Sequence, residues 1–209
     1  NGEKISVPPT ILFSLVGNHP DVRKAVSSDF KAPGDAIYLL GETHQELGAS
    51  ELAFMLSDEG SGGIGGDVPQ IDTSRNLAMY RALTTAMRQS LVRSAHDCSD
   101  GGLAPALAEC CFGADSGAEV DVTPLWADCE TLDKWGALFG ESMGRILVSV
   151  RESDRIAFEE TMAGHACHHL GTVSTGDKIS FSKGEQTLLT ASMGDLRDAW
   201  KGALDGGAV

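Results

Sequence analysis

The sequence predicts an α/β chain of the α+β kind, a mixed β-sheet layered with helices. Three observations predict it. Apolar runs of strand length alternate with stretches of helical period in the order β-β-α-α-β-α-β-α-β-α-β-β-α. Turn-forming residues, above all glycine, separate many of these runs. The composition is that of an ordinary globular protein, 42% hydrophobic and 22% charged over 209 residues, which is long enough to bury a core.

The elements follow in order. Ile11 to Val16 is a compact apolar run ending at Gly17 and reads as a buried strand. Lys31-Ala32-Pro33-Gly34-Asp35 is a turn, and Ala36 to Leu40 is a second strand stopped by Gly41. These two strands are expected to pair across a long antiparallel connection. Glu46 to Leu56 reads as a helix with Leu47, Leu52 and Met55 inward. Glu59 to Pro69 is glycine-rich and reads as a mobile connector. A ligand loop is the alternative, although no Gly-Lys-Ser/Thr ending occurs.

Asp72 is a good N-cap for a helix reaching about Arg93, with Tyr80, Leu83, Met87 and Leu91 as its buried stripe. Ser94 to Asp97 is a short strand. Leu103, Leu107, Ala108 and Cys111 mark a helix ending near Gly113. Ala118 to Val122 is a strand, Leu132 to Leu138 a helix and Arg145 to Val150 a strand. Glu152 to Met162 is a helix with Ile156, Phe158 and Met162 apolar. His169 to Ser174 and Lys178 to Ser182 flank Thr175-Gly176-Asp177 as a hairpin, and Leu196 to Leu204 closes as a helix.

The formal net charge of −14 excludes a general nucleic-acid binder, which needs a basic footprint. A phosphorylated ligand is compatible with it, provided that a metal, helix N-termini or a few arginines help locally. No apolar run approaches the roughly 18 residues of a membrane span, so neither a membrane nor a nucleic acid is an expected partner. Five cysteines (Cys98, Cys110, Cys111, Cys129, Cys167) are irregularly spaced without a CxxC pair, which suits reduced thiols and a cytoplasmic setting. The chain starts at Asn1 rather than Met, and a fragment is expected.

The richest chemistry lies in His96-Asp97-Cys98-Ser99-Asp100-Gly101-Gly102-Leu103. Asp97 falls at a strand end and Asp100 at a helix start, so both can face one crevice. Ser99, Asp100, Gly101 and Gly102 make a turn that can present N–H groups to a phosphate while Asp97 holds its magnesium ion. The plainer reading is a helix cap and a tight turn. Phe139-Gly140-Glu141-Ser142-Met143-Gly144-Arg145 offers an acceptor, a hydroxyl and a cation (Glu141, Ser142, Arg145) for the polar part of a small ligand. The alternative is a strand entry with a surface ion pair. His96 reads as a structural histidine rather than a base or metal ligand. Cys167, His168 and His169 invite zinc, but neighbours on an extended segment point to opposite faces. No Gly-x-Ser-x-Gly elbow supports a serine triad.

These residues also resemble a known family. Gly34 to Thr43, followed by Glu46-Leu47-Gly48-Ala49-Ser50-Glu51, is similar to the start of the C-terminal domain of phosphoribosylformylglycinamidine synthase subunit II, in the AIR-synthase-related superfamily. Ser94 to Leu103 with Ala106 to Glu109, Phe139 to Arg145, and Leu170 to Val173 match further hallmarks in the family's order. Ala49 stands where the family usually has glycine. The resemblance implies residues 1–209 as a single such domain, a fragment of a larger multidomain enzyme.

That enzyme would be an ATP-dependent carbon–nitrogen ligase of purine biosynthesis. It converts formylglycinamide ribonucleotide to the amidine with glutamine-derived ammonia, using ATP and Mg2+. The implied partners are the remaining N-terminal domains, a glutaminase subunit, a small accessory subunit and the small-molecule substrate. The resemblance places no catalytic residue in this chain, which alone is expected to be inactive. It aligns Asp97 with a magnesium-binding aspartate of the family's first half, and Glu141, Ser142 and Met143 with a substrate-contacting segment. The alternative is a non-catalytic nucleotide-binding or scaffold module of the same superfamily.

Overall fold

The computed structural model describes residues 12–19, 21–57, 66–114 and 116–202. Among these, seven strands form one sheet. They are β1 (Ala36–Leu40), β2 (Val92–Asp97), β3 (Gly117–Asp121), β4 (Ile146–Val150), β5 (Cys167–Ser174), β6 (Lys178–Lys183) and β7 (Gln186–Ser192). Their order is β2-β4-β1-β5-β3-β6-β7, and every pairing is antiparallel except β3 with β6. The helices are α1 (Glu51–Leu56), α2 (Thr73–Arg88), α3 (Leu103–Phe112), α4 (Lys134–Phe139), α5 (Arg155–Thr161) and α6 (Met193–Gly202). The mixed sheet layered with helices is the expected fold class.

All five residues of β1 are buried because helices cover both faces of the sheet there. Ile37 and Leu39 pack with Leu103 and Leu107 of α3 and Leu138 of α4. Ala36, Tyr38 and Leu40 pack on the opposite face with Met79 and Leu83 of α2 and Phe158 of α5. Strand alternation thus divides one run between two cores. Full burial of each leucine contributes about 1.5–3 kcal/mol.

Two expected pairings are replaced. Leu12 to Val16 is not a strand: Leu15 and Val16 are 99% and 100% exposed, and Ile11 lies outside the described residues. The edges of β1 are taken by β4 and β5, with Ala36 opposite Val150 on one side and Thr172 on the other. Nor do β5 and β6 form a hairpin. β3 lies between them, antiparallel to β5 and parallel to β6. The true hairpin is β6–β7, turning at Gly184 with φ +57°. The sequence reading missed β7, whose residues alternate weakly because none of them is fully buried.

Helix bounds also move. α2 ends at Arg88, and Ser90 (φ +61°) turns the chain into β2. Asp72 caps it as expected, accepting from the N–H groups of Ser74 and Arg75 at 3.1 and 3.0 Å. Its buried face is Met79, Leu83 and Ala86, one step round from the expected stripe, and Tyr80 is at the surface. The Glu152–Met162 helix begins as a 3-10 turn, and Ile156 is exposed. The C-terminal helix is described to Gly202, so Leu204 lies outside the described residues.

α1 starts only at Glu51, with the Ser50 hydroxyl accepting from the Ala53 N–H at 3.1 Å. Leu52 is half-buried, but Met55, expected inward, faces outward with its neighbours: Phe54, Met55 and Leu56 are 65%, 77% and 74% exposed. Adjacent large apolar side chains in solvent mark a contact surface. The chain is therefore expected to bind an environment-sensitive dye such as ANS and to self-associate. Dye fluorescence should fall in a Phe54→Ser/Met55→Ser/Leu56→Ser variant, and a monomer without dye binding contradicts the expectation.

His169 on β5 gives the fold a pH dependence. Its ring lies 5.1 Å from that of Tyr38, and its Nε2 is buried without a hydrogen-bond partner. Burial, helped by the nearby Arg155 charge, lowers its pKa from the ordinary 6.5. A histidine held neutral in the fold takes up its proton more readily when unfolded. Its contribution is present above about pH 6.5 and is lost as pH falls through the folded-state value. Urea midpoints should therefore drop between pH 7 and 5 by more in the native protein than in His169→Phe.

Candidate functional site

β2 and β4 are adjacent, with Asp97 opposite Ile146. The chain leaving β2 and the chain entering β4 must therefore meet at one end of the sheet. There the Asp97–Gly102 turn packs on Phe139–Arg145. The Cys98 N–H donates to Arg145 O at 3.1 Å. Glu141 Oε1 accepts from the N–H groups of Gly101 and Glu51, both at 2.9 Å. One carboxylate thus joins the turn before α3, the start of α1 and the approach to β4. Such charge-assisted bonds are among the stronger ones in a fold.

Gly102 allows this approach. Its φ of +78° and ψ of −147° suit glycine alone, and a Cβ there would collide with Gly140 O and sit 3.0 Å from Phe139 C. Ala49 shows the converse. It stands at φ +57°, in the region where the resembled family carries glycine, and accepts backbone strain.

Of the expected site residues, Asp97 presents its carboxylate to solvent, 75% exposed. The Ser99 hydroxyl donates to Asp97 Oδ2, and this bond holds the Asp97 carboxyl below the usual carboxylate range. Tyr80 lies nearby, donating to Gly144 O at 3.2 Å. Its phenol pKa is raised by burial and by the Asp97 charge. Asp100 is exposed beside them. Asp97, Ser99 and Asp100 thus share one turn, which Glu141 joins through the Gly101 N–H.

Four of the expected ligand contacts are differently employed. The Gly101 N–H is taken by Glu141, and the Gly102 N–H donates to Ser99 O at 3.1 Å. Arg145, expected at the ligand, is 1% exposed and turned inward. Its Nε donates to Ser142 O and its Nη1 to Thr43 Oγ1, both at 3.2 Å, and its Nη2 donates to Gly140 O. Burial lowers its pKa, against the nearby charges of Glu46, Asp128 and Glu141. Arg145 braces the site from behind. Ser142 is also buried, its Oγ accepting from the His44 N–H at 3.0 Å.

The histidines are placed structurally. His96 Nε2 lies 3.2 Å from Glu109 Oε2, and its Nδ1 is 2.6 Å from Asp97 O. His168 and His169 take opposite faces of β5, His168 lying 3.0 Å from both oxygens of Asp128. None of the five cysteines is in a disulfide.

The sequence reading missed a cavity of about 770 Å³, within the range usual for small-molecule sites. Gly41, Glu42, His44–Glu46, Gly66–Val68, the start of α2, Cys129, Ser142–Met143 and His165 are among the residues that line it. Arg75 pairs with Glu42 across it, and His44 Nε2 stands 3.4 Å from Glu42. The glycine-rich stretch, expected as a mobile connector, borders this cavity. Its part from 59 to 65 lies outside the described residues, and Gly66, Asp67 and Val68 form a cavity wall. The Glu42-Thr43 and Glu46 positions carried the signal, since they lie in the first stretch on which the resemblance rests.

For a magnesium ion, Asp97 offers one ionised carboxylate. Among the described residues no group of three His, Cys, Asp or Glu side chains is close enough to hold a metal alone. Magnesium takes one or two carboxylates and completes its shell with waters and ligand phosphates. Asp97 fits that use and no more than that.

A mixed sheet with helices on both faces defines an α+β domain, with a strand-end acidic turn and a polar cavity at its surface. The chain belongs to the family of the AIR synthase related protein, C-terminal domain, whose family model matches residues 32–183. Its fold is similar to Thermotoga maritima PurL complexed with FGAR (TM-score 0.71, 18% identity, 84% of this chain and 30% of that one). It is also similar to the same organism's PurL complexed with ATP (0.65, 17%, 83% and 27%). A third similar structure is the hydrogenase maturation protein HypE in complex with ATP (0.55, 14%, 82% and 55%). At these identities the likeness is one of fold. The chain spans less than a third of the length of the PurL structures. No described helix is long and apolar enough to cross a membrane.

Proposed function

We propose that residues 1–209 form one domain of a phosphoribosylformylglycinamidine synthase, and that the Asp97–Gly102 turn with Glu141–Arg145 serves a magnesium nucleotide. The supporting observation is the Glu141 carboxylate on the Gly101 N–H, which draws two segments forty residues apart into one crevice. Asp97 would hold Mg2+, with Ser99 keeping its carboxylate ionised and Asp100 beside it. Glu141 fixes the turn, and Ser142 and Arg145 keep the Phe139–Arg145 segment in place. A nucleotide bound at this turn would have a structural role, and the phosphoryl transfer that activates the amide oxygen would take place in the complete enzyme outside this chain. The enzyme would work in the cytoplasm with further domains of its own chain and with glutaminase and small accessory subunits. The likeness to PurL structures several-fold longer than this chain supports that reading. The 209 residues alone would then show no ligase turnover.

Titration of the complete protein with Mg-ADP tests the site. Asp97→Ala should weaken binding about tenfold or more, equivalent to at least about 1.4 kcal/mol. It should also abolish the rise in melting temperature that bound nucleotide gives. Unchanged bound nucleotide and unchanged melting would overturn the assignment.

One observation favours a second reading, a non-catalytic module of the superfamily. The Gly101 N–H is already satisfied by the protein's own carboxylate, so an incoming phosphate would have to displace Glu141 to use it. Ammonia-dependent ADP release with formylglycinamide ribonucleotide, assayed on the complete protein, separates the ligase from the module.

A further inference from the structure

We propose that a second cavity, beside the first residues of β2, binds a small phosphate-bearing anion. It holds about 250 Å³ and is bordered by the 3-10 turn Val22–Lys24, the end of α2 and the residue after β4. Five of the chain's 16 lysines and arginines line it: Arg23, Lys24, Lys31, Arg93 and Arg151. Among the described residues no aspartate or glutamate does. The chain as a whole carries a net charge of −14, so this gathering of cations runs against its average surface. Like charges held close together repel unless something offsets them.

The protein offsets three of the five. Asp21 accepts from Nε and Nη2 of Arg23 at 2.9 and 3.0 Å. Asp35 pairs with Arg93 at 3.0 Å and Asp154 with Arg151 at 3.1 Å. Lys31 donates to Ser27 Oγ at 2.6 Å and to Asp29 O, both neutral acceptors. Lys24 has no hydrogen-bond or ion-pair partner among the described residues. The two lysine charges are therefore left without a carboxylate. Arg93 and Arg151 each spend only Nη1 on their aspartates, which leaves the rest of each fork for a ligand. Asp35 is 4% exposed and anchors the Arg93 guanidinium in advance.

The leftover charge asks for a dianion, and the volume asks for a compact one. A phosphate ester carries about −1.5 to −2 at neutral pH on three oxygens around one atom. Its geometry suits arginine forks, and the Ser90 hydroxyl adds a neutral donor. A dicarboxylate spreads the same charge over two separated groups. A metal ion would meet cations and no carboxylate.

The cavity is separate from the Asp97 turn. Val92 and Arg93 open β2 and Asp97 closes it, so about 16 Å of strand separates its two ends. Arg151 follows β4, whereas Phe139–Arg145 precedes it. Neither site needs the other.

Lysine footprinting of the complete protein tests the site, in EDTA so that no magnesium nucleotide forms. Lysines are acetylated with an activated ester, and the rate at each is read by mass spectrometry after digestion. Inorganic phosphate or pyrophosphate should slow Lys24 and Lys31 saturably, by about tenfold, at concentrations below about 10 mM. The exposed Lys178 and Lys201 should keep their rates. Protection at lower concentration by pyrophosphate identifies a diphosphate ligand, and the reverse identifies a single phosphate group. Arg151→Gln gives up one surface pair and should fold normally. Half-protection should then need about tenfold more anion. The proposal is overturned if neither anion protects the two lysines, if all four lysines slow alike, or if succinate protects equally. Unchanged half-protection in a folded Arg151→Gln overturns it too. Protection by a polyglutamate peptide but by neither phosphate overturns it in favour of an acidic protein partner. Protection is read on the native protein, so an Arg151 variant that fails to fold leaves the outcome decidable.

Discussion

Arg145→Ala is expected to destabilise the domain by about 3–5 kcal/mol, the range for removing one member of a buried charged network. The guanidinium is 1% exposed, and its removal orphans three acceptors on two segments. Ser142 O and Gly140 O lose their donor in the turn before β4, and Thr43 Oγ1 loses its own in the segment after β1. The nearby carboxylates of Glu46, Asp128 and Glu141 lose their buried counter-charge at the same time. Both effects have the same sign. Lysine carries the charge but not the planar fork, so it reaches at most part of the three acceptors, and Arg145→Lys should recover only part of the loss. Urea unfolding at neutral pH measures both variants. A loss below about 1 kcal/mol for alanine, the scale of an exposed pair, would mean that the guanidinium is solvated.

The same residue shows what the sequence can and cannot convey. Arg145 directly precedes a strand and follows Gly144, so its place beside the Asp97 turn was legible. Its direction was not, because a side chain's inward or outward choice at a strand entry depends on what lies beneath it. β1 was legible as an apolar run between a turn and Gly41. Its partners were not, because non-local pairing leaves no mark on the segment itself, and the exposed Leu12–Val16 run resembled a partner as well as β4 or β5 does. The helix α3 was legible in full, since Leu103, Leu107, Ala108 and Cys111 are all buried against one core. The cavity escaped notice because its walls come from five separated segments, and no local pattern brings Glu42 to Arg75.

Gly102→Ala should cost a similar amount by a different route. The backbone at φ +78° and ψ −147° belongs to a region that only glycine enters without strain, which accounts for about 1–3 kcal/mol. The added methyl then meets Gly140 O and the Phe139 backbone. These are main-chain atoms that cannot rotate away, so overpacking adds about 1–3 kcal/mol more. Gly101 differs: a Cβ there would meet the Pro105 ring at 2.8 Å, and Gly140 is not among its nearest neighbours. For a chain of this size the Gly102 change corresponds to a fall in melting temperature of about 10 °C. Asp100→Ala, two positions away and exposed, should stay within about 0.5 kcal/mol of the native protein. The consequence for the site separates the two readings of the turn. If contact between Gly102 and Gly140 is what seats Glu141 on the Gly101 N–H, Gly102→Ala must weaken Mg-ADP binding in whatever fraction remains folded. If the turn only starts a helix, stability falls and the nucleotide response of the folded fraction is kept.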